Sequence, residues 1–293
     1  MKTLARSVLL LALLVTGLLP ATRLHAQASK IFVASYGNDA NDGSRGSPKR
    51  DFQPAHDAVA LGGQIVVLDT AGYGALNIAK SVTITVPPGV NGFVTVANSA
   101  TAITINTTTT GDVVTLRGLI IEDVTSDGLP FGGSYGVNVL KAGIVNVENC
   151  TVRNFAYGIN LATANAATLN VFGCDLLGNG YGVAVQATTA VTLAAVVADC
   201  RFVANDPAVY TNTTNASGNA DVTVNNSVFS RNGDGLYANG ATTIRVSNSS
   251  ITGGTGGGVH QGDVQKSLIL SRGNNTLEKN ASANTFPGTY SAK

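Results

Sequence analysis

Tryptophan is missing from the 293 residues, methionine occurs once, and charged side chains make up only 12% of the chain. With a formal net charge of +1, that composition argues against electrostatic nucleic-acid binding, which needs a clustered basic surface. Cysteine is equally sparse. Cys150, Cys174 and Cys200 are an odd set without close pairs, which fits neither a dense disulfide scaffold nor a zinc site. No apolar run reaches the about 20 residues that a spanning helix needs. Disorder is excluded by what is abundant, because valine, isoleucine and leucine recur in short runs throughout. The 34 glycines follow no three-residue period, which excludes collagen.

The first residues read as an address. Lys2 and Arg6 precede a twelve-residue leucine-dominated run, Val8 to Leu19, and a small-residue site follows at Ala26-Gln27-Ala28 or Leu24-His25-Ala26. Cleavage after Ala28 removes Lys2, Arg6 and Arg23 and leaves 265 residues with a formal charge of −2. The expectation is an exported protein, periplasmic, cell-surface or extracellular, with no stable membrane insertion after cleavage.

The cysteines lie 24 and 26 residues apart, and aligning on them exposes a repeat. The segments Val147 to Val152, Val171 to Leu176, Val197 to Phe202, Val224 to Phe229 and Val246 to Ile251 superimpose. A second landmark travels with them: Tyr135-Gly136-Val137, Tyr157-Gly158-Ile159, Tyr181-Gly182-Val183, Pro207-Ala208-Val209, Asp234-Gly235-Leu236 and Gly257-Gly258-Val259. A fixed period in this range marks a solenoid, a propeller or a similar array. Each copy is a series of period-two runs rich in valine, isoleucine and threonine, broken by glycine, asparagine or aspartate, the pattern of strands between tight turns. Propeller blades need about 40 to 50 residues. Leucine-rich and hexapeptide signatures are missing. What remains is an all-β parallel β-helix with three short strands per coil.

That geometry assigns the repeated residues. The valines point inward, and Cys150, Cys174 and Cys200 stack as small buried fillers with Ser227 and Ser249. Direct stacking leaves a disulfide between two of the three open, on Cα separation alone. Asn149, Gly173, Asp199, Asn226 and Asn248 share a corner that calls for positive φ. Asn154, Asn179, Asn205 and Asn232 form a second column, shifted by one residue in its first copy, whose amides hydrogen-bond up the ladder. Upstream, Asp51 to Leu61 predicts a short amphipathic helix, with Asp51 as N-cap and Gly62-Gly63 as the stop, that lids the solenoid. His56 on that helix has a packing or surface role. The run Gly37 to Ser44 lacks the glutamate of a calcium loop and is expected to form side-chain-capped turns.

The order Val33-Ala34-Ser35-Tyr36-Gly37-Asn38-Asp39-Ala40-Asn41-Asp42-Gly43-Ser44, followed by Pro48, Phe52 and Ala55, resembles the opening of many secreted bacterial right-handed β-helix proteins. Their fold is called pectin-lyase-like, and the copies from Gly136 to His260 look like its rungs. The expected division is residues 1–28 as signal peptide, 29–75 as the N-terminal cap segment and 76–293 as the β-helix coils. The resemblance is poor for activity, since such proteins include polysaccharide lyases, glycoside hydrolases and epimerases. A pectate lyase gathers several carboxylates around calcium beside a basic Lys or Arg. Here Asp175 and Arg201, on adjacent coils, read as an exposed ion pair. No cofactor is expected, no metal ligands are assigned, and calcium has no clear site. The galacturonan hydrolase elements are absent, and Val259-His260-Gln261 is not a match.

One outward constellation remains. Tyr135, Tyr157 and Tyr181 form a column before the turn glycines, and a neighbouring column reads Asn138, Asn160, Ala184, Tyr210, Tyr237, His260. Tyrosines on one solenoid face offer sugar rings a flat apolar body with a polar tip. Tyr157, Tyr181, Tyr210 and Tyr237 are therefore the candidate substrate-binding residues, exposed and with ring faces outward, and polysaccharide is the expected partner. Asp206 and Asp234 fall beside them on adjacent coils, and a carboxyl pair is what glycoside hydrolysis needs. With His260 they are the candidate catalytic residues of an alternative reading, a polysaccharide lyase or hydrolase. A purely structural envelope or spacer protein is the third.

Overall fold

The computed structural model describes residues 27–98, 100–125, 134–262 and 266–291. All but the last two residues of the expected export signal lie outside the described residues. Among the described residues no helix is long and apolar enough to cross a membrane.

The short alternating runs form strands that pair in parallel with their equivalents one coil before and one coil after. A representative coil passes through Ile144–Glu148, Thr151–Arg153 and Tyr157–Leu161 before the next begins at Ala167–Phe172. Repetition builds three sheets of eleven, nine and eight strands, here called the long, short-strand and tyrosine sheets. The result is a right-handed parallel β-helix around one continuous core. Val147, Val171, Val197, Val224 and Val246 are register partners in the long sheet, and each is fully buried. Phe202 and Phe229 stack inside at 4.7 Å between ring centroids.

The corners carry the local chemistry. Between the long and short-strand sheets, Asn149, Gly173, Asp199, Asn226 and Asn248 all have φ between 48° and 61°, as expected of this column. The next residue points inward and accepts a backbone N–H from the coil below. Cys150 N–H donates to Cys174 Sγ at 3.4 Å, Cys200 N–H to Ser227 Oγ at 3.2 Å, and Ser227 N–H to Ser249 Oγ at 3.1 Å. The three cysteines are buried and free. Hydrogen bonding with Cys150 and then Cys200, reinforced by burial, pushes the Cys174 thiol well above its ordinary pKa.

The second corner, between the short-strand and tyrosine sheets, repeats the device with asparagine. Phe155 N–H donates to Asn179 Oδ1 at 3.1 Å, Asn179 N–H to Asn205 at 3.1 Å, and Asn205 N–H to Asn232 at 2.9 Å. The amide groups link up the stack as well, Asn179 Nδ2 to Asn205 Oδ1 at 3.0 Å and Asn205 Nδ2 to Asn232 Oδ1 at 3.1 Å. The first member of this column is Phe155. Asn154 stands one residue earlier, at φ 66°, in the left-handed slot that Gly178, Ala204, Arg231 and Gly253 fill in later coils.

The N-terminal helix is shorter than the sequence pattern predicts. Helix α1 spans Phe52–Ala58, and the Asp51 side chain makes no capping bond. Val59 joins the long sheet beside Ala28, so Gly62-Gly63 lies within the strand Val59–Val67 and does not stop the helix. Pairing overrides the helical pattern here because the β-branched Val59 has a strand edge to join. Gly63 is needed for close approach: a Cβ there would lie 2.9 Å from the Ser29 carbonyl oxygen. Phe52 is buried against Tyr73, with ring centroids 5.2 Å apart. His56 is buried too, and its Nε2 accepts the Ala79 N–H at 3.2 Å. The loop from Gly37 to Ser44 is a set of side-chain-capped turns, with Ala40 N–H on Asn38 and Ser44 N–H on Asp42, each at 2.9 Å.

Two stability predictions follow from these contacts. Asn205→Ala strands buried donors and acceptors on two coils and is expected to lower unfolding free energy by on the order of 3 kcal/mol in a denaturant titration. Burial lowers the pKa of His56 below its ordinary 6.5, so the unfolded chain takes up that proton more readily. Its contribution is complete above pH 6.5 and is lost as the pH falls from 6.5 towards the folded-state value. His56→Gln keeps an acceptor for Ala79, so the thermal midpoint of this variant should fall less than that of the parent protein over this window.

Candidate functional site

The tyrosine sheet turns one column of rings to the outside. Tyr135, Tyr157 and Tyr181 are register partners, with ring centroids 5.0 and 4.6 Å apart and planes within 16° and 12°. The column then sidesteps to the register of Ala184, Tyr210, Tyr237 and His260. Tyr181 meets Tyr210 at 4.9 Å, Tyr210 meets Tyr237 at 5.4 Å, and Tyr237 stacks on the His260 imidazole at 4.3 Å and 4°. The four candidate binding tyrosines thus lie on one continuous, half-buried face.

Their ring orientation differs from the expectation. Coils repeat at the ordinary strand spacing of about 4.8 Å, close enough for identical aromatics on successive coils to stack face to face. Tyr135, Tyr157 and Tyr181 therefore offer edges and hydroxyls outward, with their faces turned to each other. Tyr210 is the exception. Its plane stands 45° from Tyr181 and 79° from Tyr237, so neither neighbour stacks on its face. The reason is the residue beneath it in register, Ala184, which is too small to stack and is fully buried although it points outward.

Two of the hydroxyls, those of Tyr210 and Tyr157, are held in the neutral form. Burial, followed by the neighbouring Tyr181 and Tyr237, pushes the Tyr210 phenol up to about 12, and burial raises Tyr157 as well. Unlike Tyr73, which donates to Asp69, the five ladder tyrosines make no side-chain hydrogen bond to a described residue. Beside the rings run amides. Asn160 Nδ2 donates to Asn138 at 2.9 Å, Gln186 Nε2 to Asn160 at 2.7 Å, and Asn239 Nδ2 to Asn212 at 3.0 Å. The sequence reading missed Gln186, Asn212 and Asn239. Their signal is position, each two residues after Ala184, Tyr210 and Tyr237 and hence on the same outward phase.

At the C-terminal end of the ladder the structure brings Asp206, Asp234 and His260 together. His260 Nδ1 lies 2.9 Å from Asp234 Oδ2, Asp234 Oδ1 accepts the Gly257 N–H at 2.7 Å, and Asp206 Oδ1 accepts the Asp234 N–H at 3.3 Å. A Cβ at position 233 would fall 1.9 Å from Asp206 Oδ1, so a side chain there would displace this carboxylate. The Asp234 side chain is 18% exposed and that of His260 is 47% exposed. Both face a cleft of about 420 Å³ that Gln261, Ser282, Thr285 and Pro287 also line. With both oxygens engaged, Asp234 is suited to orienting the imidazole, and Asp206 is the exposed carboxylate of the group.

Elsewhere the outward charges pair across coils. Arg201 holds Asp175 with two bonds of 2.8 and 2.9 Å, an exposed pair of the kind that contributes little. Among the described residues no three His, Cys, Asp or Glu side chains gather as metal ligands. The calcium that a pectate-lyase resemblance implies does not fit these residues.

The architecture is a right-handed parallel β-helix, consistent with a pectin-lyase-like fold. The chain is similar to pectate lyase Pel9A, with a TM-score of 0.52 and 14% identity over 91% of this chain and 80% of that one. A rhamnogalacturonan lyase aligns at a TM-score of 0.41 and 11% identity, over 86% of this chain and 87% of that one. No protein-family model matches the sequence, and no curated protein matches it. At this level of identity the likeness to the pectate lyase is one of fold.

Proposed function

We propose that the protein is exported and binds polysaccharide along the tyrosine sheet, from Tyr135 to the cleft at His260. The observation that carries this reading is the unbroken column of six aromatic rings with an amide column beside it. The rings supply phenol hydroxyls without a hydrogen-bond partner among the described residues and, at Tyr210, a ring that stacks on neither neighbour; the amides supply further hydrogen-bonding groups. Sugars are recognised by this combination of apolar ring contact and dense polar pairing. The fold of a pectate lyase, named for a polysaccharide substrate, agrees with it. Export is supported by the Lys2, Arg6 and Val8-to-Leu19 pattern.

Replacing Tyr210 and Tyr237 together by alanine is expected to weaken retention on a panel of immobilised polysaccharides. Each aromatic contact is worth about 1 kcal/mol, or roughly fivefold in affinity. Tyr157→Ala, which removes a ring stacked on both faces, should lower thermal stability more than Tyr210→Ala does. A large loss of stability in the double variant with retention unchanged would assign the rings to scaffold support alone.

The Asp234–His260 pair favours a second reading, an enzyme acting on the bound chain. A histidine that lines a cleft and is oriented by a carboxylate at Nδ1 is suited to general acid–base chemistry. In this reading His260 acts on the substrate, Asp234 is its positioning residue, and Asp206 is the carboxylate beside them. Product release from a bound polysaccharide, measured by reducing ends and by unsaturated ends, should then fall about 10²–10⁴-fold in His260→Ala. Absence of product from the parent protein assigns it to binding.

A further inference from the structure

We propose that the ligand of the tyrosine face is a neutral polysaccharide rather than a polyuronate, an inference that rests on the binding reading above. Charge is segregated on this solenoid. Arg117 with Glu148 at 2.7 Å and Arg245 with Asp221 pair on the long sheet. Arg153 with Glu122 and Arg201 with Asp175 pair on the short-strand sheet. Across all eight strands of the tyrosine sheet, the single Lys, Arg, Asp or Glu is Lys141. It stands at the end of its strand, and its ammonium donates to the Thr108 carbonyl at 2.7 Å.

A polyuronate carries a carboxylate on every sugar. A track that holds it needs cations along its length, from Lys and Arg or from metal ions bridged by protein carboxylates. The strands of this face offer one tethered lysine, and no cluster of metal ligands occurs among the described residues. The end of the track is acidic, with Asp206 and Asp234 side by side, so a carboxylate-bearing chain would be repelled where the ladder meets the cleft. What the face does present matches sugar hydroxyls and C–H surfaces. Asn212 and Asn239 flank Tyr210 and Tyr237, and the Tyr210 ring stacks on neither of its neighbours. Burial keeps the Tyr210 and Tyr157 phenols protonated donors through neutral pH.

Affinity electrophoresis of the protein through gels containing galactomannan, xyloglucan, polygalacturonate or alginate tests this. Retardation by a neutral polymer should exceed that by either polyuronate at least about tenfold, because complementary charge is missing. It should be the same at low and high salt, since no ion pair is there to be screened. Tyr210→Ala should weaken it roughly fivefold. Asn212→Lys, which leaves every ring in place and adds a cation beside Tyr210, should raise binding to polygalacturonate and make it salt-dependent. Stronger retardation by a polyuronate than by either neutral polymer, weakening with salt, overturns this inference and leaves polysaccharide binding standing. No retardation by any of the four polymers overturns the binding reading itself.

Discussion

Every coil of this solenoid must bend, and each bend takes backbone N–H groups out of the regular strand ladder. A buried N–H without an acceptor costs about as much as a lost hydrogen bond, and the cost recurs once per coil. The protein meets it with a side chain from the coil above, sulfur or hydroxyl at one corner and amide oxygen at the other. Because the acceptor comes from the next coil, each coil completes the one beneath it. Stability is thereby a property of the stack, as expected for a repeat array. Among the side chains of the described residues, the Thr189 hydroxyl is the one buried polar group without a partner.

This dependence explains why so much of the fold was legible. A corner that needs positive φ admits glycine, asparagine or aspartate far more readily than other residues, and it recurs at the coil period, so Asn149, Gly173, Asp199, Asn226 and Asn248 align by eye. The inward valines align for the same reason, through the strict two-residue alternation of a strand. Features that occur once escaped. The end of α1 depends on Val59 finding Ala28, a partner 31 residues away, while the local pattern continues to read as helix. The place of Phe155 in the asparagine column was hidden because Asn154 stands next to it.

The candidate site was legible as a list of positions and not as a shape. Register alone brings Tyr157, Tyr181, Tyr210 and Tyr237 to one face, and Asp206, Asp234 and His260 to its end. Ring orientation is decided by what lies one coil away. From Tyr135 through Tyr157 to Tyr181 the rings stack, and a ring that is stacked on both sides supports the ladder while offering a ligand only its rim. At Ala184 the stack is interrupted, and Tyr210 turns. The smallest residue in the column thus creates its most distinctive surface, a conclusion that inspection of the tyrosines alone does not reach.

The three faces also answer differently to the same backbone. On the long and short-strand sheets, arginine on one coil bonds a carboxylate on a neighbouring coil. Exposed pairs of this kind add little stability but keep like charges from facing each other across 4.8 Å of strand spacing. The tyrosine sheet reaches the same end with rings and amides, and so remains nearly free of fixed charge. Outward columns do not build the core, so a solenoid can change one face without disturbing the others. A face that gives up the ion pairs used on the other two must gain its coil-to-coil contacts elsewhere. Aromatic stacking and amide bonding do this while leaving hydroxyl, amide and ring surface directed at solvent, which is why the face reads at once as scaffold and as binding track.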